Sequence, residues 1–397
     1  MKILYISSRV PFPPTDGGAI VTYTTVTEMA KAGHEVHLLA LNTLKHHQPE
    51  SVIPGIAYQQ YVDIDTSVTV KGAFFNLFKS SSYNVERFIS PNFSNALAEL
   101  LLKNHYDLIQ VEGTYVAWYV DIIREYAACP VVLRAHNIEY IIWERLAENC
   151  RNFFKKNYLH FLARRLRKFE TEYLSRFDGI AAITQQDADR IKGMGIISSC
   201  KVIPVAVRLK ELPAAGIVPK PFSIFILSSL DWLPNQEGVL WFLEHVWPAV
   251  LKEMPQMELH IAGKNTPESF YRLSHENMVV HGFVNDSFEF MNQHDLMLVP
   301  LLSGGGMRVK IIEGMAAGKV ILASAVAAEG IKCEHGKNIL VADKPEEWIN
   351  TILDYFHDRK KYQAISGNAR KVIEAEYSSD RITAKFVDFY KDLMTDF

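Results

Sequence analysis

The stretch 295–324, "DLMLVPLLSGGGMRVKIIEGMAAGKVILAS", sets two apolar runs of strand length, DLMLVP and KVILAS, on either side of a glycine-rich turn and a helix-periodic segment. A strand, a helix and a second strand in so short a span require a crossover between parallel strands, with the helix covering one face of the sheet. Within the helical segment Gly306, Lys310 and Glu313 share one face, whereas Met307, Ile311 and Met315 can turn to the core, and Gly318 ends the helix. The glycines Gly304, Gly305 and Gly306 occupy the turn between strand and helix. Unpaired N–H groups at a helix start attract anions, and glycines let a diphosphate approach them. Arg308 and Lys310 add full positive charge where the helix dipole disfavours it by a few tenths of a kcal/mol, about what one exposed charge costs there. An anionic partner explains that placement; a surface ion pair between Lys310 and Glu313 is the plainer alternative.

Working outward, the same alternation recurs along the chain. KILYIS, EVHLLA, DLIQVE, PVVLRA and GIAAIT alternate with helical stretches up to about residue 205, and FSIFILSS, MELHIAG, NMVVHGF, DLMLVP, KVILAS and NILVA form a second set. Both sets predict parallel sheets with helices on both faces. Between them "LKELPAAGIVPKP" (209–221) is rich in proline and without period, which reads as a linker. The expected organisation is an α/β chain of two doubly wound, Rossmann-like domains facing each other across a cleft: 1–208, a linker 209–221, 222–377, and a final helix within 378–397 that packs back on the first domain. A ligand is expected at the carboxyl ends of the strands.

With 397 residues, 48% hydrophobic and 22% charged, the chain is sized for two soluble domains, and a formal charge of −3 gives no global attraction to nucleic acid. The four cysteines are far apart and form no Cys-x-x-Cys pair, which predicts reduced thiols and neither a zinc knuckle nor a disulfide framework. No metal cluster is visible in the sequence. The opening "MKILYISSRVPFPP" is unlike a secretory signal, and no segment approaches a membrane span, so a cytoplasmic location is expected. The loop after the first strand lacks the G-x-G-x-x-G of a dinucleotide site. Its Gly17–Gly18 pair stands just before a helix running from about 19 to 32, where it serves either as a tight turn or as a point of backbone approach for an anion.

The segments "DGGA", "LRAHNIE", "LSSLDWLPNQEGVLWFLEHVWP", "LHIAGKN", "VVHGFV" and "GGGMRVKIIEGMAAGKVILAS", followed by "AAEGI", occur in an order that covers nearly the whole chain. In these the chain resembles a GT-B glycosyltransferase, most similar to glycosyltransferase family 4, whose members are retaining enzymes. The resemblance implies a nucleotide-sugar donor on the second domain and a glycan or lipid-linked acceptor on the first, with no metal cofactor. The implied donor-binding residues are Gly18, Phe283, Val284, Gly304, Gly305, Gly306, Met307 and Glu313, the last holding the ribose. Gly305 stands where many members carry a first glutamate that touches the donor sugar. The basic pair usually found after the first strand of the second domain is missing from "LSSLDWLPNQEG", so Arg308 and Lys310 are the expected charges on the diphosphate. His136 is the expected contact for a sugar hydroxyl near the reaction centre, with a backbone-bonded core histidine as the alternative. Phe283 has a core position as its alternative, and Glu139 serves the acceptor or caps the next helix. A nucleotide-sugar epimerase of the same architecture and a non-catalytic nucleotide- or sugar-binding protein are the other functional readings.

The segment 151–169 is basic, with Phe154, Tyr158, Phe161, Leu162, Leu166 and Phe169 at helical spacing. A core-packed helix with a solvated basic face is the first expectation, and a peripheral contact with an anionic membrane is the second.

Overall fold

The computed structural model describes residues 1–48, 51–76, 79, 81–150, 152–209, 218–273 and 277–397. The chain forms two compact units, Met1–Ala206 with Ser379–Phe397, and Val207–Ser378.

In the first unit, β1 (Lys2–Ser7), β2 (Glu35–Thr43), β3 (Tyr58–Ile64), β4 (Leu108–Glu112), β5 (Val131–Ala135), β6 (Gly179–Ala182) and β7 (Ser199–Val202) pair in the order β3-β2-β1-β4-β5-β6-β7. All the pairings are parallel. In the second unit, β8 (Ser223–Leu227), β9 (Glu258–Ala262), β10 (Met278–Gly282), β11 (Leu296–Val299), β12 (Val320–Ala323) and β13 (Leu340–Val341) pair in the order β10-β9-β8-β11-β12-β13, again in parallel. In each sheet the winding reverses once, between β1 and β4 and between β8 and β11. Such a switch point opens a crevice at the carboxyl ends of the two strands. β3 and β7 are not among the strands expected from the apolar runs; β3 (YQQYVDI) is an edge strand whose polar residues blur the apolar run that marks a buried strand.

The central strands are buried on both faces. Leu4, Ile6, Val111 and Leu133 belong to one apolar cluster and Ile3, Tyr5, Leu38 and Ala181 to another, as the alternation of side chains across a strand requires. The final helix Ser379–Asp396 completes the second cluster with Phe386, Phe389, Tyr390 and Leu393. It fits closely: a Cβ on Gly179 would lie 2.5 Å from Leu393 Cδ1 and 2.8 Å from Phe389 Cζ. Arg134, 1% exposed, sits with its guanidinium carbon 5.0 Å from the centre of the Phe386 ring and donates to the carbonyls of Ala181, Ile203 and Pro204. Burial pulls its pKa down to about 10, which leaves it charged at neutral pH.

The chain passes into the second unit earlier than the proline-rich segment suggests. Val207 N–H donates to Tyr377 O at 2.8 Å, and Val207 pairs in parallel with Ser378. Residues 210–217 of the expected linker, and Arg151 of the expected basic segment, lie outside the described residues.

The helix Phe153–Leu174 buries Leu159, Leu162, Ala163, Leu166, Glu170 and Leu174. Phe154 and Tyr158, expected on its apolar face, are instead 83% and 38% exposed, and Phe153 is 71% exposed. The buried stripe starts at Leu159, and the first turn of the helix has no apolar partner in the core.

Phe386→Ala is expected to lower the stability of the first unit by about 3–5 kcal/mol, since a fully buried ring leaves a cavity that packed neighbours only partly fill. Urea unfolding followed by circular dichroism measures it.

Candidate active site

Lys310 lies in the helix Val309–Ala316, which follows β11. Its Nζ donates to Ser228 Oγ at 2.6 Å and to Asn235 Oδ1 at 2.8 Å. Ser228 directly follows β8, and Asn235 lies in the first turn of the helix Leu233–His245 with its own Nδ2 donating to Ser229 O at 2.8 Å. Lys310 therefore ties together the two arms of the β8/β11 switch point, and the ion pair with Glu313 raised by the sequence is replaced by these bonds. Burial, reinforced by the charge of Arg308, pulls the Lys310 pKa down to about 7. Burial pushes the Glu313 carboxyl up to about 7. Both groups thus change charge near neutrality, and an anionic or hydroxyl-rich ligand would select their charged forms.

Arg308 corrects the sequence expectation in detail. It is the N-cap residue of the helix, in an extended conformation, and lies before the first turn. Its buried guanidinium curls back so that Nη1 donates to Gly305 O, and its Cζ lies 5.7 Å from the Trp232 ring centre. Gly304, Gly305, Gly306 and Met307 are all buried, so the glycine turn does not stand open. A Cβ at Gly304, where φ is +136°, would lie 2.8 Å from Arg308 Nη2 and 3.1 Å from Trp232 Cη2. The glycine makes room for the protein's own arginine, which places the positive charge inside the turn. Ser303 Oγ donates to Glu237 Oε2 at 2.9 Å and anchors the turn to the helix after β8.

Phe283 follows β10 and is 56% exposed, so its core alternative falls; Val284 beside it is half-buried. Both leave the carboxyl end of a strand, on the same edge of the sheet as Ser228 and the glycine turn, as parallel pairing demands.

In the first unit, His136 follows β5, and its Nε2 lies 2.7 Å from Glu112 Oε2 at the end of β4. It is half-buried and bonded to a carboxylate, which replaces the backbone-bonded alternative. Glu112 also accepts from Gln110 Nε2 at 2.5 Å and from Thr22 Oγ1 at 3.3 Å. Tyr390 of the final helix donates to Gln110 Oε1 and lies 3.4 Å from the Tyr5 hydroxyl. Burial works to raise the Glu112 carboxyl, but the bond and charge of His136, with Gln110 and Arg134, together hold it below the usual carboxylate range. An ionised Glu112 holds a proton of His136 on Nε2 and leaves Nδ1 to face another partner. The polar residues inside the apolar strand LIQVE are the sequence signal for this network.

Glu139 caps nothing. Its carboxylate accepts from Tyr115 Oη at 2.7 Å and from Asn137 Nδ2 at 3.1 Å. The cap of its helix comes from Glu170, whose two oxygens accept the N–H groups of Glu139 and Tyr140 at 2.8 and 3.0 Å. Burial, with the nearby Glu139 charge, pushes Glu170 up to about 8.

Gly18 lies in the first turn of the helix Gly17–Lys31, which starts before the expected residue 19 and is capped by Asp16. A Cβ there would lie 2.0 Å from Arg9 Nη2, and Arg9 forms a two-pronged pair with Asp16 at 2.8 Å for each bond. Here again the space beside the glycine belongs to an arginine of the chain.

Residues 15–211 match the family described as glycosyltransferase family 4, and residues 221–358 match that described as glycosyl transferases group 1. The chain is a GT-B glycosyltransferase of the family 4-like kind. This glycosyltransferase is 22% identical to an uncharacterized 44.6 kDa protein in the cps region of Klebsiella pneumoniae, over 96% of this chain and 97% of that one. Its fold is similar to that of sucrose-phosphate synthase from Thermosynechococcus elongatus, with a TM-score of 0.76, 16% identity and 100% of both chains covered. It is also similar to that of Anabaena HepE in complex with UDP and glucose, with a TM-score of 0.70, 16% identity and 98% and 99% of the two chains covered.

Lys310 binds fewer protons in the native protein than in the unfolded chain between pH 7 and its ordinary 10.5. Stability therefore gains from this residue as pH rises through that window. Lys310→Met is expected to flatten the rise relative to wild type, measured by denaturant unfolding at pH 7 and pH 9.5.

Proposed function

We propose that this glycosyltransferase is a retaining enzyme that moves a hexose from a UDP-sugar to a glycan or lipid-linked acceptor during assembly of a cell-surface polysaccharide. The observation that carries the reading is the pairing of the buried Arg308, folded into the glycine turn, with the half-buried Lys310 in the helix that follows it, both at the β8/β11 switch point. Support for a uridine donor comes from HepE, which has been crystallised in complex with UDP-glucose, and support for the polysaccharide setting from the cps-region relative.

When the bond between the anomeric carbon and the β-phosphate oxygen breaks, negative charge collects on the leaving phosphate. Cations already held in place stabilise that charge more than they stabilise the bound donor, which lowers the barrier. Arg308 and Lys310 have this role, with the backbone of Gly304–Met307 at the phosphates. Glu313 accepts from the ribose diol, and the Phe283–Val284 backbone borders the base. In a retaining route the acceptor hydroxyl attacks from the face the phosphate leaves, and its proton passes to the leaving phosphate oxygen. His136, oriented by Glu112, offers Nδ1 to a sugar hydroxyl. The site needs no metal for this charge balance.

A cytoplasmic enzyme with peripheral contact at an anionic membrane is part of the same reading. Its support is the exposed Phe153 and Phe154, with Lys155, Arg164, Arg167 and Lys168 exposed on the same helix. Among the described residues no helix is long and apolar enough to cross a membrane.

Calorimetric titration with UDP, GDP and ADP is expected to give saturable binding of UDP that Arg308→Ala weakens. In transfer assays the same variant is expected to lose about 10²–10³ in kcat, and near-normal turnover removes Arg308 from the mechanism. Products that keep the donor's anomeric configuration support retention, whereas conversion of the donor without any acceptor marks an epimerase. Cosedimentation with phosphatidylglycerol vesicles is expected to fall several-fold for the double variant Phe153→Ser with Phe154→Ser, and unchanged binding discards the membrane contact.

A further inference from the structure

Three histidines of the second unit converge away from the nucleotide turn. His260 on β9 and His294, which follows the helix Ser287–Gln293, are each 5% exposed, and His281 near the end of β10 is exposed. One ring nitrogen from each lies within 4.8 Å of the other two. In the sheet Val279 stands opposite His260, and His281 is the extra residue where the β9–β10 register shifts between Val280 and Gly282, with its ring centre 5.2 Å from that of His260. Phe290 closes the apolar side, with its ring centre 4.4 Å from that of His294 and 5.3 Å from that of His281.

The outer contact of His294 matches that of a metal-bound histidine, and His260 has a carboxylate close to its far nitrogen. His294 Nδ1 lies 2.7 Å from the Phe290 carbonyl and donates to it, which leaves Nε2 with its lone pair. His260 Nδ1 is 2.9 Å from His281 Nε2, while its other nitrogen is 3.2 Å from Glu258 Oε2. Carbonyl and carboxylate partners behind ligating imidazoles are what fix the tautomer and ring angle in zinc sites. Burial is the leading cause that lowers the pKa of all three rings, His260 to about 4, the direction that favours the neutral imidazole. Other charges adjoin the cluster. Lys220 Nζ shares Glu258 Oε2 at 2.5 Å, and Lys319 Nζ donates to His294 O at 2.9 Å.

We propose that His260, His281 and His294 form a binding site for a divalent transition metal, with Zn²⁺ as the best match, in which the fourth position is open to water on the His281 side. Tetrahedral Zn²⁺ with bonds of about 2.0–2.1 Å places ligand nitrogens roughly 3.3 Å apart, so the cluster closes on the ion by small ring movements. An all-imidazole set flanked by two lysines favours zinc and disfavours the hard ions Mg²⁺ and Ca²⁺, which want carboxylate and carbonyl oxygens. The ion would pin the edge strand β10 and the helix Ser287–Gln293 to β9. That is a structural task separate from phosphate binding at the glycine turn.

The test uses the full-length, tag-free protein stripped with a chelator. Competition with a chromophoric zinc indicator is expected to show one Zn²⁺ per chain, Co²⁺ to give the visible absorption of a tetrahedral site, and saturating Zn²⁺ to raise Tm by roughly 5 °C. His281→Ala is expected to weaken zinc more than about tenfold and to abolish the Tm rise, while the exposed His105→Ala changes neither. His294→Gln is expected to act like His281→Ala. If it fails to fold, the surface variant His281→Ala decides alone. No zinc bound by the wild type, or equal affinity in His281→Ala, overturns the proposal.

Discussion

A parallel sheet cannot leave either face to water, because its strands are apolar on both sides and its crossovers carry the helices that cover them. Both units obey this constraint, and it decides where polar chemistry can sit. Side chains that project from the strands are committed to packing. What remains are the carboxyl ends, where each strand gives way to a loop, and above all the place where neighbouring loops turn to opposite faces. Ser228 and Lys310 meet there in one sheet, Glu112 and Thr22 in the other.

The charges at these points share one physical condition: they are ionisable groups held largely out of water, Glu112 fully and Lys310 and Glu313 in part, by the packing that positions them. Lys310 and Glu313 respond by moving toward neutrality, whereas Glu112 stays ionised because His136, Gln110 and Arg134 surround it with donors and positive charge. The first two are therefore free to gain charge from a ligand. The third spends its charge on orienting a histidine. The same burial explains the two arginines that fill the space beside Gly18 and Gly304, since a guanidinium close to the backbone needs a residue without a side chain opposite it.

The alternating strands, the glycine turn between strand and helix, and the two-domain organisation were legible because period and glycine placement act over short distances in sequence. So was the face shared by Lys310 and Glu313. The partners of these residues were not legible. Ser228 and Asn235 come from 82 and 75 residues away, and nothing local marks them as holders of a lysine. Phe154 and Tyr158 followed the right period but precede the first buried residue of their helix, an outcome that depends on what lies beneath. The histidine cluster is spaced by 21 and 13 residues across two strands and a helix end, a pattern that no ligand motif matches. Even Glu139, correctly placed at the start of its helix, gave up the cap to Glu170, which arrives from the next helix.

The second unit interrupts the first: the chain leaves at Ala206 and returns at Ser379 to add the helix that carries Phe386, Phe389, Tyr390 and Leu393. A ribosome makes those residues only after the entire second unit, so the seven-stranded sheet waits with part of one face uncovered while the second unit folds. During that interval Arg134 and Gln110 lack Phe386 and Tyr390, and an apolar groove stays open to nascent-chain chaperones. The second unit, whose ends are already joined at Val207 and Ser378, has no such delay. The order of maturation is therefore the reverse of the order of synthesis.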